Sequence, residues 1–244
     1  MTPPPVADAA SRAVVAVDGP SGSGKSSVSR GVARALGLRY LDTGAMYRAV
    51  TWAVLRDGVP TNAADAVATA AAAARLEWST HPDESWIHVD GQDVSRAIRE
   101  QAVTSAVSAV AAEPRVRAQL VALQRGAVRD ALAAGQGIVV EGRDIGSVVL
   151  PDADLKVWLV ADPAVRAARR AAEDAAAGRA VVHDEAHHTA TVQADLARRD
   201  AADASRSASP TTQAADAVVV DATYLGLDEV IDVVLGLVRE RVAS

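Results

Sequence analysis

The 244-residue sequence has no cysteine, no phenylalanine and only 3% aromatic residues. The absence of cysteine excludes disulfides, cysteine–zinc sites and thiol catalysis, and it fits a reducing cytoplasm, the expected location. The absence of phenylalanine leaves alanine, valine and leucine to build the core. Long apolar runs are missing as well. "MTPPPVADAASR" lacks the apolar centre of a signal peptide and reads as a flexible tail over residues 1–12. "AVATAAAAARL", around residue 70, is too short and too alanine-rich to span a bilayer. An excess of positive charge is also absent: the net charge of −6 argues against general nucleic-acid or membrane-surface binding. Lysine is nearly absent. Of 25 lysine and arginine residues only Lys25 and Lys156 are lysines, so Lys25 marks a place where arginine does not serve. Lys156, in "DLKVWLV", carries no such mark.

Half of the chain is hydrophobic, enough for one substantial core with a small inserted subdomain. "AVVAVDG" reads as a buried strand, "SSVSRGVARALG" as a helix stopped by Gly37, and "LRYLDTG" as a second strand leading into the helix "AMYRAVTWAVLRDG". An alanine-rich helix then runs to about residue 75. Residues 76–100 change texture: short alternating runs between Pro-Asp and Asp-Gly turns predict an antiparallel hairpin or meander. Helices resume over 101–112, break at Pro114 and continue to Gly135. "GIVVEGRD", "LKVWLVAD" and "AVVVDATYL" add three strand–turn units, and one of the helices among them opens with Asp162-Pro163. Strands alternating with helices predict an α/β fold with a parallel sheet covered on both faces. The expected division is a core over 13–75 and 101–162, the insert over 76–100, a lid region with flanking helices over 163–206, and a last strand and helix over 207–244.

"GPSGSGKSS" matches the phosphate-loop pattern in full, directly after a strand and at the start of a helix. Gly19, Pro20, Ser21, Gly22, Ser23, Gly24, Lys25, Ser26 and Ser27 are therefore the expected ATP-binding residues. The glycines allow backbone N–H groups to turn inward around phosphate oxygens, and the helix N-terminus adds a favourable dipole. Lys25 is placed to reach the β- and γ-phosphates, and the Ser26 hydroxyl to hold Mg²⁺. Glu141 ends an apolar strand at the carboxyl edge of the sheet; on sequence it either orients Mg²⁺ through water or stands in solvent.

No Asn-Lys-x-Asp element for guanine is present, which excludes a GTP switch protein. What recurs is arginine at turns and helix starts, at Arg48, Arg117, Arg143 and the Arg199/Arg206 pair. Planar guanidinium forks suit phosphoryl transfer between two phosphorylated substrates. At this point "VAVDGPSGSGKSSVSRGVARALG", "YLDTGAMYRAV", "VSAVAAEPRVRAQLVALQR", "VEGRDIGSVVLPDADLKVWLVAD" and "ARRDAADASRS" together resemble the bacterial cytidylate kinases, in order and spacing, from residue 13 to about 235. The resemblance implies a P-loop nucleoside monophosphate kinase fold. That fold has a five-stranded parallel sheet flanked by helices, a small antiparallel insert that binds the monophosphate, and a helical lid. It also implies phosphorylation of CMP and dCMP by ATP with Mg²⁺.

Carried over position by position, the resemblance puts Thr43, Tyr47 and Arg48 in the acceptor site, with Arg48 on the CMP phosphate. Tyr47 taken alone reads better as core packing on a helix. Ser108 and Arg117 would read the cytosine edge, Asp144 would accept from the cytosine amino group, and Arg143 would bridge phosphates. A carboxylate facing that amino group, with an arginine beside it, selects cytosine over uracil. Arg99 is either a clamp of the insert on the acceptor or a surface ion pair. In "RRDAADASR", Arg199 and Asp203 would face the sugar and Arg206 the phosphates, since these charges prolong the apolar line of Val192 and Leu196 and Arg198 is left to solvent. Arg166, Arg169 and Arg170 share a helical face and either cover the ATP phosphates or form a plain basic face. "HDEAHH", in the lid, reads as a solvated loop rather than a metal site. The acceptor phosphate is already ionised, so no general base is required. The expected catalytic set is Lys25, Arg48, Arg143 and Arg206, in a monomer acting on small molecules. A kinase for another monophosphate such as UMP, or a non-catalytic ATP sensor, remains the alternative.

Overall fold

In the computed structural model five short strands lie side by side as a parallel sheet. Their order is β2 (Arg39–Asp42), β6 (Ile138–Glu141), β1 (Val14–Asp18), β7 (Leu155–Val160) and β8 (Val218–Asp221). The structure describes residues 9–176, 185–204 and 212–243. The three central strands β6, β1 and β7 are buried on both faces, which explains why they read as continuous apolar runs rather than alternating ones. The register has a consequence for the site. Val17 and Asp42 both pair with Glu141, so Asp42, Glu141 and Asp18 leave the sheet together at its carboxyl edge.

Two aliphatic cores flank the sheet. On one face α1 (Lys25–Leu36) and the C-terminal helix α8 (Leu227–Val242) bury Val28, Val32, Val230 and Val234 against Val15, Val157 and Leu159. On the other, α2 (Thr43–Arg56) and α5 (Pro114–Ala133) bring Met46, Val50, Val54 and Leu120 onto Leu41, Ile138 and Val140. Each such side chain contributes roughly 1.5–3 kcal/mol of burial, so the cores do not need aromatic bulk. Asp42 starts α2 by accepting a hydrogen bond from Ala45 N at 2.8 Å, and Glu113 with Pro114 starts α5. α3 (Ala64–Ala73) and α4 (Gln101–Ala111) complete this layer.

The insert is a three-stranded antiparallel sheet of β3 (Leu76–Trp78), β4 (Ile87–Val89) and β5 (Gln92–Asp93). Its Asp90-Gly91 turn has φ of 53° and 80°, the two left-handed residues that a tight hairpin demands. A short 3₁₀ turn, Ala97–Arg99, leads back to α4. The insert also rests on the core, since Tyr40 N–H of the edge strand β2 donates to the Thr80 carbonyl at 2.8 Å. After β7, Asp162 accepts from Ala164 N at 2.8 Å and opens α6 (Pro163–Ala176). α7 spans Glu185–Ala204. This corrects the expectation of a loop at "HDEAHH": from Glu185 onward the backbone is helical, because the alanines and leucine that follow favour helix more strongly than the histidines oppose it. Among the described residues no helix is long and apolar enough to cross a membrane.

Candidate functional site

The phosphate loop leaves β1 at Asp18 and enters α1 at Lys25. Gly22 and Gly24 adopt left-handed φ of 76° and 94°, the conformation that turns successive N–H groups inward. Gly19 is required sterically, since a Cβ there would lie 2.1 Å from the Leu159 carbonyl oxygen of β7. Lys25 Nζ donates to the Pro20 carbonyl at 2.6 Å across the loop. Burial, and after it the positive field of Arg143, pulls the Lys25 ammonium below its ordinary pKa, against Glu141, Asp18 and Asp200. A buried cation weakened in this way gains from an anion placed beside it.

The loop closes one end of a cavity of about 510 Å³, a size typical of small-molecule sites. Ser21, Gly22, Gly24, Lys25, Ser26 and Ser27 line its loop end, while Gly19, Pro20 and the buried Ser23 form the frame behind them. Arg143 Nη1 donates to the Gly19 carbonyl at 2.5 Å and lies between the two ends. At the far end stand Thr43, Tyr47, Arg48, Arg99, Ser108, Arg117 and Asp144. Thr43 Oγ1 donates to the Glu141 carbonyl at 2.7 Å, tying α2 to β6. Arg48 Nη2 is 3.1 Å from the Asp42 carboxylate, and its buried Nε has no partner among the described residues. Burial opposes ionisation of Asp42, but the Arg48 guanidinium, with Ala45 N–H, Arg99 and Arg30, outweighs it and holds the carboxyl below its usual range. Arg117 and Asp144 form an ion pair with both side chains buried, and the Arg117 guanidinium stands 5.9 Å from the centre of the Tyr47 ring.

Glu141 is buried, 4% exposed, which rules out the strand-end charge in solvent. Burial, and next the neighbouring Asp42, pushes its carboxyl up, while Lys25 and hydrogen bonds from Tyr40 and Ser26 pull it down. Its oxygens thus share one corner with the Ser26 hydroxyl. Among the described residues there is no group of three or more histidine, cysteine, aspartate or glutamate side chains suited to hold a metal ion.

A sequence profile described as "Cytidylate kinase" matches residues 15–240. The chain belongs to the cytidylate kinase family. A cytidylate kinase of Streptomyces griseus is 52% identical over 240 residues, covering 98% of each chain. Those of Mycolicibacterium paratuberculosis and Rhodococcus opacus are 52% and 53% identical over 229 and 230 residues, covering 93% of this chain and 96% and 95% of theirs. The protein is accordingly a phosphotransferase.

Relative to the sequence expectations for a cytidylate kinase, the structure redistributes the three α6 arginines. Arg170 lines the cavity. Arg166 and Arg169 do not: Arg166 donates to the Ser21 carbonyl at 2.9 Å and to Asp200 at 2.5 Å, and Arg169 donates to the Ala222 carbonyl at 2.7 Å. They brace the outside of the phosphate loop and the loop after β8, because helical spacing gives a shared face but not what that face meets. Arg206 and the side chains of Arg199 and Asp203 lie outside the described residues. Arg198 is 67% exposed and pairs with Asp195.

Sequence reasoning missed four groups. Asp200 accepts from Ser21 N–H at 3.2 Å and pairs with Arg166; its position one turn beyond the buried Leu196 was the available signal. Arg30 lies on α1 in the cavity wall, its guanidinium 5.1 Å from the Tyr40 ring centre. Tyr40 donates its hydroxyl to Glu141. Asp18, 4% exposed, accepts from Ile145 N at 2.8 Å and Gly146 N at 2.7 Å.

Proposed function

We propose that this chain carries out its family's reaction, transfer of the γ-phosphoryl group of ATP to the phosphate of CMP or dCMP, by in-line positioning and charge stabilisation. ATP phosphates occupy the turn of Gly22, Gly24 and Lys25, and the monophosphate lies at the other end of the cavity with its phosphate on Arg48. Arg143, bonded to the phosphate loop and facing the cavity, neutralises charge between donor and acceptor, with Arg206 in support. Because an ionised phosphate attacks, no residue has to remove a proton.

The donor set at Ser26 and Glu141 is hard oxygen and suits Mg²⁺, with Ser26 as direct ligand and Glu141 acting through water. Bound there, Mg²⁺ supplies charge neutralisation on the transferring phosphoryl group. Tyr40 fixes the Glu141 carboxylate in place from behind.

Cytosine selection rests on Asp144 accepting from the amino group, on Arg117 and Ser108 at the rest of the base edge, and on Tyr47 against the nucleoside. Arg99 clamps the insert of residues 76–100 over the monophosphate, Arg199 and Asp203 hold the sugar, and Arg170 in the lid region 163–206 faces the donor phosphates. Closure of both elements excludes water that would otherwise hydrolyse ATP. The enzyme acts as a monomer on small molecules, without nucleic acid or membrane.

The observation that carries this reading is the buried Arg117–Asp144 pair beside Tyr47, a complementary polar set in the cavity wall. Measuring ADP formation from ATP with CMP, dCMP, UMP, AMP, GMP and shikimate tests it. CMP and dCMP should be preferred; a preference for UMP would overturn the cytosine assignment.

A further inference from the structure

Asp18 is buried at the end of β1, directly before the phosphate loop, and is not among the residues that line the cavity. Its carboxylate grips the backbone that carries the two reacting-side residues of the "GRDIG" segment. One oxygen accepts from Ile145 N–H at 2.8 Å and the other from Gly146 N–H at 2.7 Å. These are the two residues directly after Arg143 and Asp144. The next residue along the chain, Gly19, receives Arg143 Nη1 on its carbonyl at 2.5 Å. The start of the phosphate loop and the segment 143–146 are thus joined three times across more than 120 residues of sequence.

The surroundings leave that segment little freedom. A Cβ on Gly142 would meet Ile145 Cδ1 at 2.6 Å and Thr43 Oγ1 at 2.8 Å, and one on Gly146 would meet the Lys156 stem at 3.1 Å. Lys156 is itself held by Asp216, at 2.8 and 2.9 Å. Asp144 has an unusual backbone conformation, φ −148° and ψ 27°, and opens a π-helical turn, Ile145–Val149. Free N–H groups at the start of such a turn require acceptors, and Asp18 supplies both oxygens to them.

We infer that Asp18 is a positioning residue for cytosine selection: its two backbone hydrogen bonds set where Asp144 stands relative to the base. The inference rests on Asp144 being the cytosine contact. Loss of one charge-assisted hydrogen bond in a buried site, with the displacement that follows, weakens the dependent contact about tenfold to a hundredfold. Asp18→Asn keeps the shape but turns an amide NH₂ toward one of the two N–H donors.

The test compares KM and kcat for CMP and UMP in the parent, Asp18→Asn, Asp18→Ser and Asp144→Asn, with thermal melting of each. The expected result is that Asp18→Asn raises KM for CMP about tenfold or more and lowers the CMP-over-UMP ratio in the same direction as Asp144→Asn, with kcat at saturating CMP within about threefold. Asp18→Ser does the same if the asparagine variant does not fold. If Asp144→Asn loses the ratio while both Asp18 variants melt lower but keep the parental ratio, Asp18 is merely structural and the inference fails alone. If Asp144→Asn keeps the parental ratio, the cytosine assignment fails and the inference falls with it.

Discussion

Replacing Arg117 by methionine leaves the Asp144 carboxylate in the wall of the cavity with its ion-pair partner gone. The two side chains are 7% and 8% exposed, so water screens the charges only weakly. Removing one member of a buried pair costs about 3–5 kcal/mol. The expected loss of unfolding free energy for Arg117→Met at pH 7 is therefore about 3–5 kcal/mol. Asp144→Asn, which leaves the guanidinium buried against an amide, should cost about 2–4 kcal/mol. The double variant leaves no charge behind, and its cost should fall well short of the sum of the singles, giving a coupling of at least about 2 kcal/mol. Urea unfolding of the four proteins at pH 7 measures this directly. Additive single costs, with coupling under about 0.5 kcal/mol, would refute the view that the pair is desolvated and mutually dependent.

Arg143→Ala should lower kcat about 10²-fold to 10³-fold, the usual loss for a preorganised donor to developing charge, and a kcat within a few-fold of the parent in a steady-state assay would remove Arg143 from catalysis. Asp200→Ala frees Ser21 N–H and the Arg166 guanidinium, so KM for ATP should rise about tenfold while KM for CMP changes less than about twofold; equal effects on both would mean general loosening. Asp18 gives a pH dependence. Burial, ahead of its neighbour Asp144 and against two N–H donors and Lys25, pushes its carboxyl from 3.8 up to about 6. The folded state therefore holds this proton more tightly than the unfolded chain. The associated stability is present below about pH 4 and is lost as pH rises through about 6, about 3 kcal/mol in total. Urea unfolding between pH 4 and 7 should show the parent losing most of that, about 2–2.5 kcal/mol, relative to Asp18→Asn, which does not titrate; parallel profiles would contradict it.

Strands and the phosphate loop were legible because their information is local. A β-branched run followed by glycines at fixed spacing dictates both the strand and the turn, and Gly19, Gly22 and Gly24 take the conformations that the pattern requires. The insert was legible from its turn chemistry, since Asp90-Gly91 admits few conformations other than a tight hairpin. What escaped depends on long-range pairing. Asp18 looks like any strand-end acid, and nothing near it in sequence says that Ile145 and Gly146 bring it two N–H groups from 127 and 128 residues away. Arg166 and Arg169 were read on a shared face, and they share one, but that face meets backbone carbonyls of the phosphate loop and the β8 exit. Tyr40 read as one more apolar strand residue, because burial of its ring and use of its hydroxyl leave the same sequence pattern.

The site also joins two demands that oppose one another. Burial weakens the Lys25 ammonium, with Arg143 beside it, and so favours an incoming anion. A few ångströms along the same edge, burial and Asp42 raise the Glu141 carboxyl, and Tyr40 and Ser26 only partly offset that, so this corner favours an incoming cation. Acids cannot simply be removed to improve phosphate binding. Asp42 holds Arg48 and starts α2, Asp144 holds Arg117, and Asp200 holds Arg166, so each carboxylate keeps one arginine in place against the repulsion of the others. A ligand of one sign satisfies one corner and worsens the other. A magnesium–nucleotide complex carries both signs, so the opposed preferences of Lys25 and Glu141 are the reason for proposing that ATP enters as its magnesium complex rather than as the free anion.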